Sequence, residues 1–165
     1  MIPTIKPLSE RPQATSKRLP AQGPNSSTES EQAGEWVVTL EGASQLAREA
    51  LGGKAIEISA FPFNIGRWED RGEARLPFNN DLAIGDQRPY HVSRVHFCIA
   101  RTGDAFSVVD RGSRLGTIVN GKRISGKAEN KAAPLDREVN EILVGSRHSP
   151  YAFSVCIHPS GPTDG

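Results

Sequence analysis

Short runs of β-branched and aromatic residues, separated by turn-forming residues, recur along most of this chain. The runs fall at residues 36–40, 55–58, 61–65, 82–84, 95–99, 105–109, 117–119, 141–144 and 151–157. Glycine, aspartate and asparagine lie between them, as they do in the turns that join β-strands. Many short strands at this spacing predict an all-β fold, a sandwich or a barrel, rather than alternating strands and helices.

Residues 44–51 follow a different pattern. They combine helix-forming residues with Ser44, whose hydroxyl is suited to cap a helix, and they end at Gly52-Gly53, a strong stop signal. Because the segment has only eight residues, we expect a turn or a short helix outside the core.

The two ends of the chain are predicted to be tails. Residues 1–33 contain five prolines, no aromatic residue and a Ser/Thr/Glu cluster at 26–31. Such a segment buries too little apolar surface to offset the entropy lost on ordering it. We therefore predict a disordered Pro/Ser-rich tail at 1–33, one folded domain at 34–160, and a disordered C-terminal end at 161–165.

Composition narrows the classes of function. The 165 residues are 36% hydrophobic and 24% charged, and the net charge is +1. A net charge near zero gives no general attraction to nucleic acid or to an anionic membrane. No apolar run has the length of a signal peptide or a membrane span. We expect a soluble, cytoplasmic protein.

The two cysteines, Cys98 and Cys156, lie in separate predicted strands. One pair does not make a disulfide framework, and no Cys/His cluster has the spacing of a zinc site. We expect two buried, reduced thiols, no metal and no cofactor.

Three short strings between the predicted strands contain residues suited to bind an anion. They are Gly66-Arg67, Ser93-Arg94-Val95-His96 and Gly116-Thr117-Ile118-Val119-Asn120-Gly121. Arginine offers a rigid fork of donors that binds two phosphate oxygens at once. A serine hydroxyl and the backbone N–H groups of a glycine-flanked turn add further donors. Brought to one end of a β-sandwich, these groups would suit a phosphate.

In their order and strand context the three strings resemble the forkhead-associated (FHA) domain, a β-sandwich that binds phosphothreonine peptides. The resemblance implies an FHA domain at 34–160, with two antiparallel-rich sheets. It also implies phosphate contacts for Arg67 and Ser93, and peptide contacts for Arg94 and Arg114. His96 is expected to support the binding loops without touching the ligand.

The remaining motif residues are expected to be architectural. Asn120-Gly121 is a strong signal for a type I′ hairpin, because both central positions of that turn need a positive φ. Gly66 allows a sharp turn or a close backbone approach at the end of a strand. Gly116 and Thr117 are expected to place and brace the loop before them.

The chain departs from the commoner FHA pattern at Leu115. An asparagine often precedes the Gly-Thr pair in that family and bonds the peptide backbone, which leucine cannot do. The loss is one hydrogen bond, worth about 0.5–1.5 kcal/mol net, and Arg114 beside it is expected to compensate. Arg88, Tyr90 and His91 lie just ahead of Ser93 and are candidates for peptide selectivity.

These residues predict a phosphothreonine-dependent binding module in Ser/Thr kinase signalling, without catalysis. The expected partner is a phosphothreonine-containing protein, either a Ser/Thr kinase or one of its substrates, and neither nucleic acid nor a membrane. One alternative is a phosphorylation-independent protein scaffold on the same fold. A less favoured one is a nucleic-acid-binding domain, and a hydrolase lacks a recognisable nucleophile–base pair. Thr28 in the tail is a candidate phosphosite, and the resemblance implies that such a threonine could fold back onto the domain's own binding site.

Overall fold

β-Strands are the main regular elements of the part of the chain that the structure describes. A computed structural model describes residues 34–69 and 80–161. Within them lie β1 (Trp36–Gly42), α1 (Gln45–Ala50), β2 (Ile56–Ile58), β3 (Phe63–Arg67), β4 (Leu82–Ile84), β5 (Phe97–Thr102), β6 (Ala105–Asp110), β7 (Thr117–Val119), β8 (Lys122–Ile124), β9 (Ala132–Pro134), β10 (Val139–Val144) and β11 (Ala152–Pro159). The predicted tail at 1–33, with Thr28, and residues 162–165 of the predicted C-terminal end lie outside the described residues.

The strands form two sheets. The first has the order β2-β1-β11-β10-β7-β8 and the second the order β4-β3-β5-β6-β9. Neighbouring strands are antiparallel except for β3 and β4, which are parallel. The prediction of an all-β sandwich with two antiparallel-rich sheets is therefore confirmed.

One hydrophobic core joins the two sheets. Leu40, Ile142 and Phe153 from the first sheet belong to the same buried cluster as Ile65 and Phe97 from the second. Burial alternates along β6 and β11, because successive side chains of a strand point to opposite faces. Each fully buried Leu, Ile, Val or Phe side chain contributes about 1.5–3 kcal/mol to the free energy of folding by leaving water.

The short helix is confirmed, with six residues and a serine cap. The expectation that it lies outside the core is wrong, because Ala47 is fully buried in the core cluster. The hydroxyl of Ser44 accepts a hydrogen bond from the Ala47 N–H at 3.3 Å and another from the Ala152 N–H at 3.1 Å. The cap therefore also attaches α1 to β11. Among the described residues, no helix has the length and apolar character that crossing a membrane requires.

Two further details differ from the sequence-based expectation. β9 was not predicted, because its alanines and Pro134 have weak strand preference; the strand forms by pairing with β6. Cys98 and Cys156 are both free thiols, but only Cys98 is buried. The expectation of two buried thiols is wrong for Cys156, which is half-buried on β11 of the first sheet.

Candidate functional site

Strand pairing brings three loops to one end of the sandwich. β3 ends at Arg67, and its Ile65 pairs with Phe97 at the start of β5. Phe97 in turn pairs with Asp110 at the end of β6. Antiparallel neighbours place the end of one strand beside the start of the next. The end of β3, the loop before β5 and the loop after β6 therefore lie side by side.

A cleft of about 470 Å³ opens between these loops. It is lined by seven of the eight residues predicted to bind or select a peptide, namely Arg67, Tyr90, His91, Ser93, Arg94, Arg114 and Leu115. The eighth, Arg88, does not line it. Lys127 does, although it was not predicted. Among the described residues of the lining there are four Lys/Arg side chains and no carboxylate, so the cleft suits an anion.

Arg67 is held in a defined orientation. Its backbone N–H donates to the Ser93 carbonyl at 2.8 Å, and its Nη1 donates to the Val92 carbonyl at 2.8 Å. The guanidinium carbon lies 3.8 Å from the centre of the Tyr90 ring, so the cation stacks on the aromatic face. Because the guanidinium group is already oriented, the Arg67 side chain loses little conformational entropy when an anion binds to it.

Gly66 allows the backbone before Arg67 to lie against the loop of the second string. A Cβ at this position would lie 2.0 Å from the Arg94 carbonyl oxygen and 2.6 Å from Nδ2 of Asn80. That Nδ2 donates to the same Arg94 oxygen at 2.8 Å. Any side chain at Gly66 would push the two loops apart.

His96 is fully buried and connects two of the loops. The Ser93 N–H donates to Nδ1 at 2.9 Å, so Nε2 carries the proton and donates to the Gly116 carbonyl at 2.8 Å. Burial lowers the pKa of His96 below its ordinary value of 6.5, against the opposing effects of the Gly116 hydrogen bond and the charges of Asp110 and Asp86. A neutral imidazole with both nitrogens bonded has the geometry of a brace.

Ser93 and Arg114 meet inside the cleft. The Arg114 N–H donates to the Ser93 hydroxyl oxygen at 2.9 Å, which leaves the hydroxyl hydrogen to be donated. The Arg114 guanidinium donates from Nη2 to the Tyr90 carbonyl at 3.1 Å. Leu115 is half-buried, and its carbonyl accepts from Nη2 of Arg123 at 2.6 Å. The contacts of this loop are thus made largely by its backbone.

The loop after β6 is folded around the buried carboxylate of Asp110. Its Oδ1 accepts from the N–H groups of Gly112, Ser113 and Gly126, and its Oδ2 accepts from the hydroxyls of Ser113 and Thr117. Burial by itself would raise the pKa of Asp110, but these hydrogen bonds together hold the pKa below its ordinary value. Thr117 was expected to brace this loop, but the carboxylate to which its hydroxyl donates was not expected.

The loop before Ser93 is organised by another carboxylate, that of Asp86. Its Oδ2 accepts from the N–H groups of His91 at 2.6 Å and of Val92 at 2.8 Å. The guanidinium carbon of Arg88 lies 5.7 Å from the centre of the Tyr90 ring. Of the three selectivity candidates, Tyr90 and His91 therefore line the cleft, while Arg88 lies near it beside Tyr90.

Asn120 and Gly121 form the turn between β7 and β8. Their φ angles are 49° and 84°, the positive values that a type I′ turn needs. The Asn120 side chain bonds to β10, since its Oδ1 accepts from the Glu141 N–H at 2.9 Å. This pair shapes the first sheet and does not line the cleft.

The family model described as the FHA domain matches residues 64–135, the span that contains the three strings. Over this span the chain is similar to the FHA domain. Among curated proteins, no sequence matches it.

Solved FHA structures share the fold. The FHA domain of an Arabidopsis thaliana hypothetical protein is 22% identical with a TM-score of 0.53, covering 79% of this chain and 92% of that one. A domain from a structural and functional analysis of phosphothreonine-dependent FHA domain interactions is 22% identical with a TM-score of 0.52, covering 74% and 98%. Mycobacterium tuberculosis EmbR, in complex with a low affinity phosphopeptide, is 23% identical with a TM-score of 0.50, covering 78% of this chain and 26% of EmbR.

Lys127 reaches the cleft through a close backbone contact between two loops. A Cβ on Gly126 would lie 2.2 Å from the Gly112 nitrogen, so the loop after β8 packs directly on the loop after β6. In the sequence, only the glycine beside it marks Lys127 as a candidate for the cleft. This signal is weak, because the contact between Gly126 and Gly112 exists only in the folded domain. No group of His, Cys, Asp and Glu suited to a metal ion occurs among residues 34–69 and 80–161.

Proposed function

We propose that this FHA domain binds phosphothreonine-containing segments of partner proteins in the cleft. The observation that carries the proposal is the pairing of an oriented arginine with an oriented serine. Arg67 is held by Val92 and Tyr90, and Ser93 accepts from the Arg114 N–H, which directs its own hydrogen elsewhere. A phosphate brings about −1.5 to −2 charges and three acceptor oxygens, which these donors can share.

Two solved structures of the same fold support the phosphate ligand. One comes from an analysis of phosphothreonine-dependent FHA domain interactions, and EmbR is in complex with a phosphopeptide. Arg94, Arg114 and Lys127 add positive charge around the same cleft. We propose that these three side chains contact the peptide on either side of the phosphothreonine.

We further propose that the module acts without catalysis, in the cytoplasm, in Ser/Thr kinase signalling, and that neither nucleic acid nor a membrane is its partner. The ring of His96 is buried and hydrogen-bonded at both nitrogens, which favours a non-catalytic role, since a general base must reach its substrate. The net charge of +1 favours a peptide partner over nucleic acid.

Substitution of Arg67 by alanine tests the proposal. We expect binding to a degenerate phosphothreonine peptide library, measured by calorimetry, to weaken more than about tenfold, since a charge-assisted hydrogen bond is worth about 1.5–3 kcal/mol. Arg67→Lys keeps the charge without the fork, so it should restore only part of the affinity.

Arg101→Ala is the matched control, because Arg101 lies at the other end of β5 and should leave binding unchanged. Unphosphorylated and phosphoserine libraries complete the set. If the unphosphorylated library binds as tightly as the phosphorylated one, the phosphorylation-independent scaffold is the correct function. Equal affinities of Arg67→Ala and the unmodified domain would remove Arg67 from the site.

A further inference from the structure

Two of the three arginines that line the cleft, Arg67 and Arg94, lie near the same carboxylate of the chain, that of Glu69. Glu69 Oε1 lies 3.9 Å from Nη2 of Arg67, and Glu69 Oε2 lies 3.6 Å from Nη1 of Arg94. The side chains of Arg67 and Glu69 are 13% and 17% exposed, while that of Arg94 is 44% exposed. Glu69 follows β3 by two positions but does not line the cleft. It approaches both cations from outside the cleft.

These ion pairs are loose. Charge-assisted hydrogen bonds between nitrogen and oxygen are about 2.7–2.9 Å long, and both pairs are clearly longer. A carboxylate at such distances offsets part of the positive charge of the guanidinium groups but binds them only weakly. A second anion in the cleft is therefore able to replace Glu69 as the partner of these guanidinium groups.

We propose that Glu69 is an internal competitor for the anion site, so that only a ligand richer in charge than a carboxylate binds. The proposal rests on the proposed function. An acidic side chain of a peptide brings one charge and two oxygens, the same as Glu69, and so gains nothing by replacing it. A phosphate brings about −1.5 to −2 charges and three oxygens. Glu69 thus lowers the affinity for every anion, so that phosphothreonine still binds while aspartate and glutamate, with one charge each, do not.

The variant Glu69→Gln removes the charge and keeps the shape of the side chain. We expect it to bind the degenerate phosphothreonine library about three- to tenfold more tightly than the unmodified domain, a factor that corresponds to about 0.7–1.4 kcal/mol. We also expect measurable binding of a library with glutamate in place of phosphothreonine. The gain should shrink as salt is added, because exposed charges are screened.

Glu57→Gln is the matched control, since it makes the same change in net charge on β2, an edge strand of the other sheet. It should leave both affinities unchanged. In the ligand-free domain, NMR signals of the Arg67 and Arg94 guanidinium groups should shift in Glu69→Gln and not in Glu57→Gln.

The outcomes separate this inference from the proposed function. Tighter binding by Glu69→Gln alone supports it, also if the unmodified domain binds too weakly to measure. Equal or weaker phosphopeptide binding by Glu69→Gln overturns it and leaves the proposed function intact; weaker binding would make Glu69 a positioning residue for the arginines. If neither protein binds the phosphorylated library, the proposed function fails and the inference fails with it.

Discussion

Replacing Asp110 by asparagine should destabilise the domain and lower the affinity of the cleft for a phosphopeptide. The two side chains have nearly the same shape, so the change tests charge and hydrogen bonding alone. The carboxylate accepts hydrogen bonds from five donors, three on Oδ1 and two on Oδ2. An amide has a single oxygen, which must face the three backbone N–H groups, and its NH₂ group then faces the hydroxyls of Ser113 and Thr117.

The magnitude follows from those contacts. A hydrogen bond to a charged group is worth about 1.5–3 kcal/mol and a neutral one about 0.5–1.5, so each contact loses roughly 1 kcal/mol. Five contacts set an upper limit near 5 kcal/mol, and bonds within one network do not add fully. We expect a loss of about 2–4 kcal/mol, a large part of a typical stability of about 5–15 kcal/mol.

Chemical denaturation of Asp110→Asn and the unmodified domain measures this loss. Ser113→Ala is the companion variant. It removes one hydroxyl from the network and the acceptor of the Gly116 N–H, so it should cost about 1–3 kcal/mol. Phosphopeptide affinity should fall in Asp110→Asn although Asp110 does not line the cleft, because the loop that positions Arg114 is loosened. A change in unfolding free energy below about 0.5 kcal/mol, the size of an ordinary surface substitution, would refute the reasoning.

Two further predictions concern the junction of β3 and the buried histidine. Gly66→Ala should lower the free energy of unfolding by roughly 1–3 kcal/mol through overpacking, because its Cβ would lie 2.0 Å from the Arg94 carbonyl oxygen. Gly85→Ala is the control, since its Cβ would meet no atom within 4 Å. Equal denaturation midpoints for the two variants would contradict the contact. Because the pKa of His96 is lowered in the folded state from 6.5, the unfolded chain binds the proton first, so stability should fall as pH drops below 6.5. An NMR titration of the His96 ring should show a folded-state pKa below 6.5, and a normal pKa would contradict the effect of burial.

The sequence by itself determined the class of fold and the local turns. Side-chain alternation and turn residues predicted most strands, and Asn120-Gly121 specified its hairpin, because these signals depend on neighbours along the chain. The order of the three strings, through their resemblance to FHA domains, also indicated which residues would meet at one end. Seven of the eight predicted contact residues line the cleft.

Only the tertiary structure determined the contacts between segments that are distant in the sequence. β9 exists because β6 offers a partner, and Lys127 reaches the cleft because Gly126 packs on Gly112. Asp110 and Glu69 are ordinary acidic residues in the sequence. One becomes the centre of a five-donor network and the other the shared counter-ion of Arg67 and Arg94 only when the loops fold together. Charge and hydrogen bonding act over a few ångströms in space, whereas sequence patterns report neighbours along the chain.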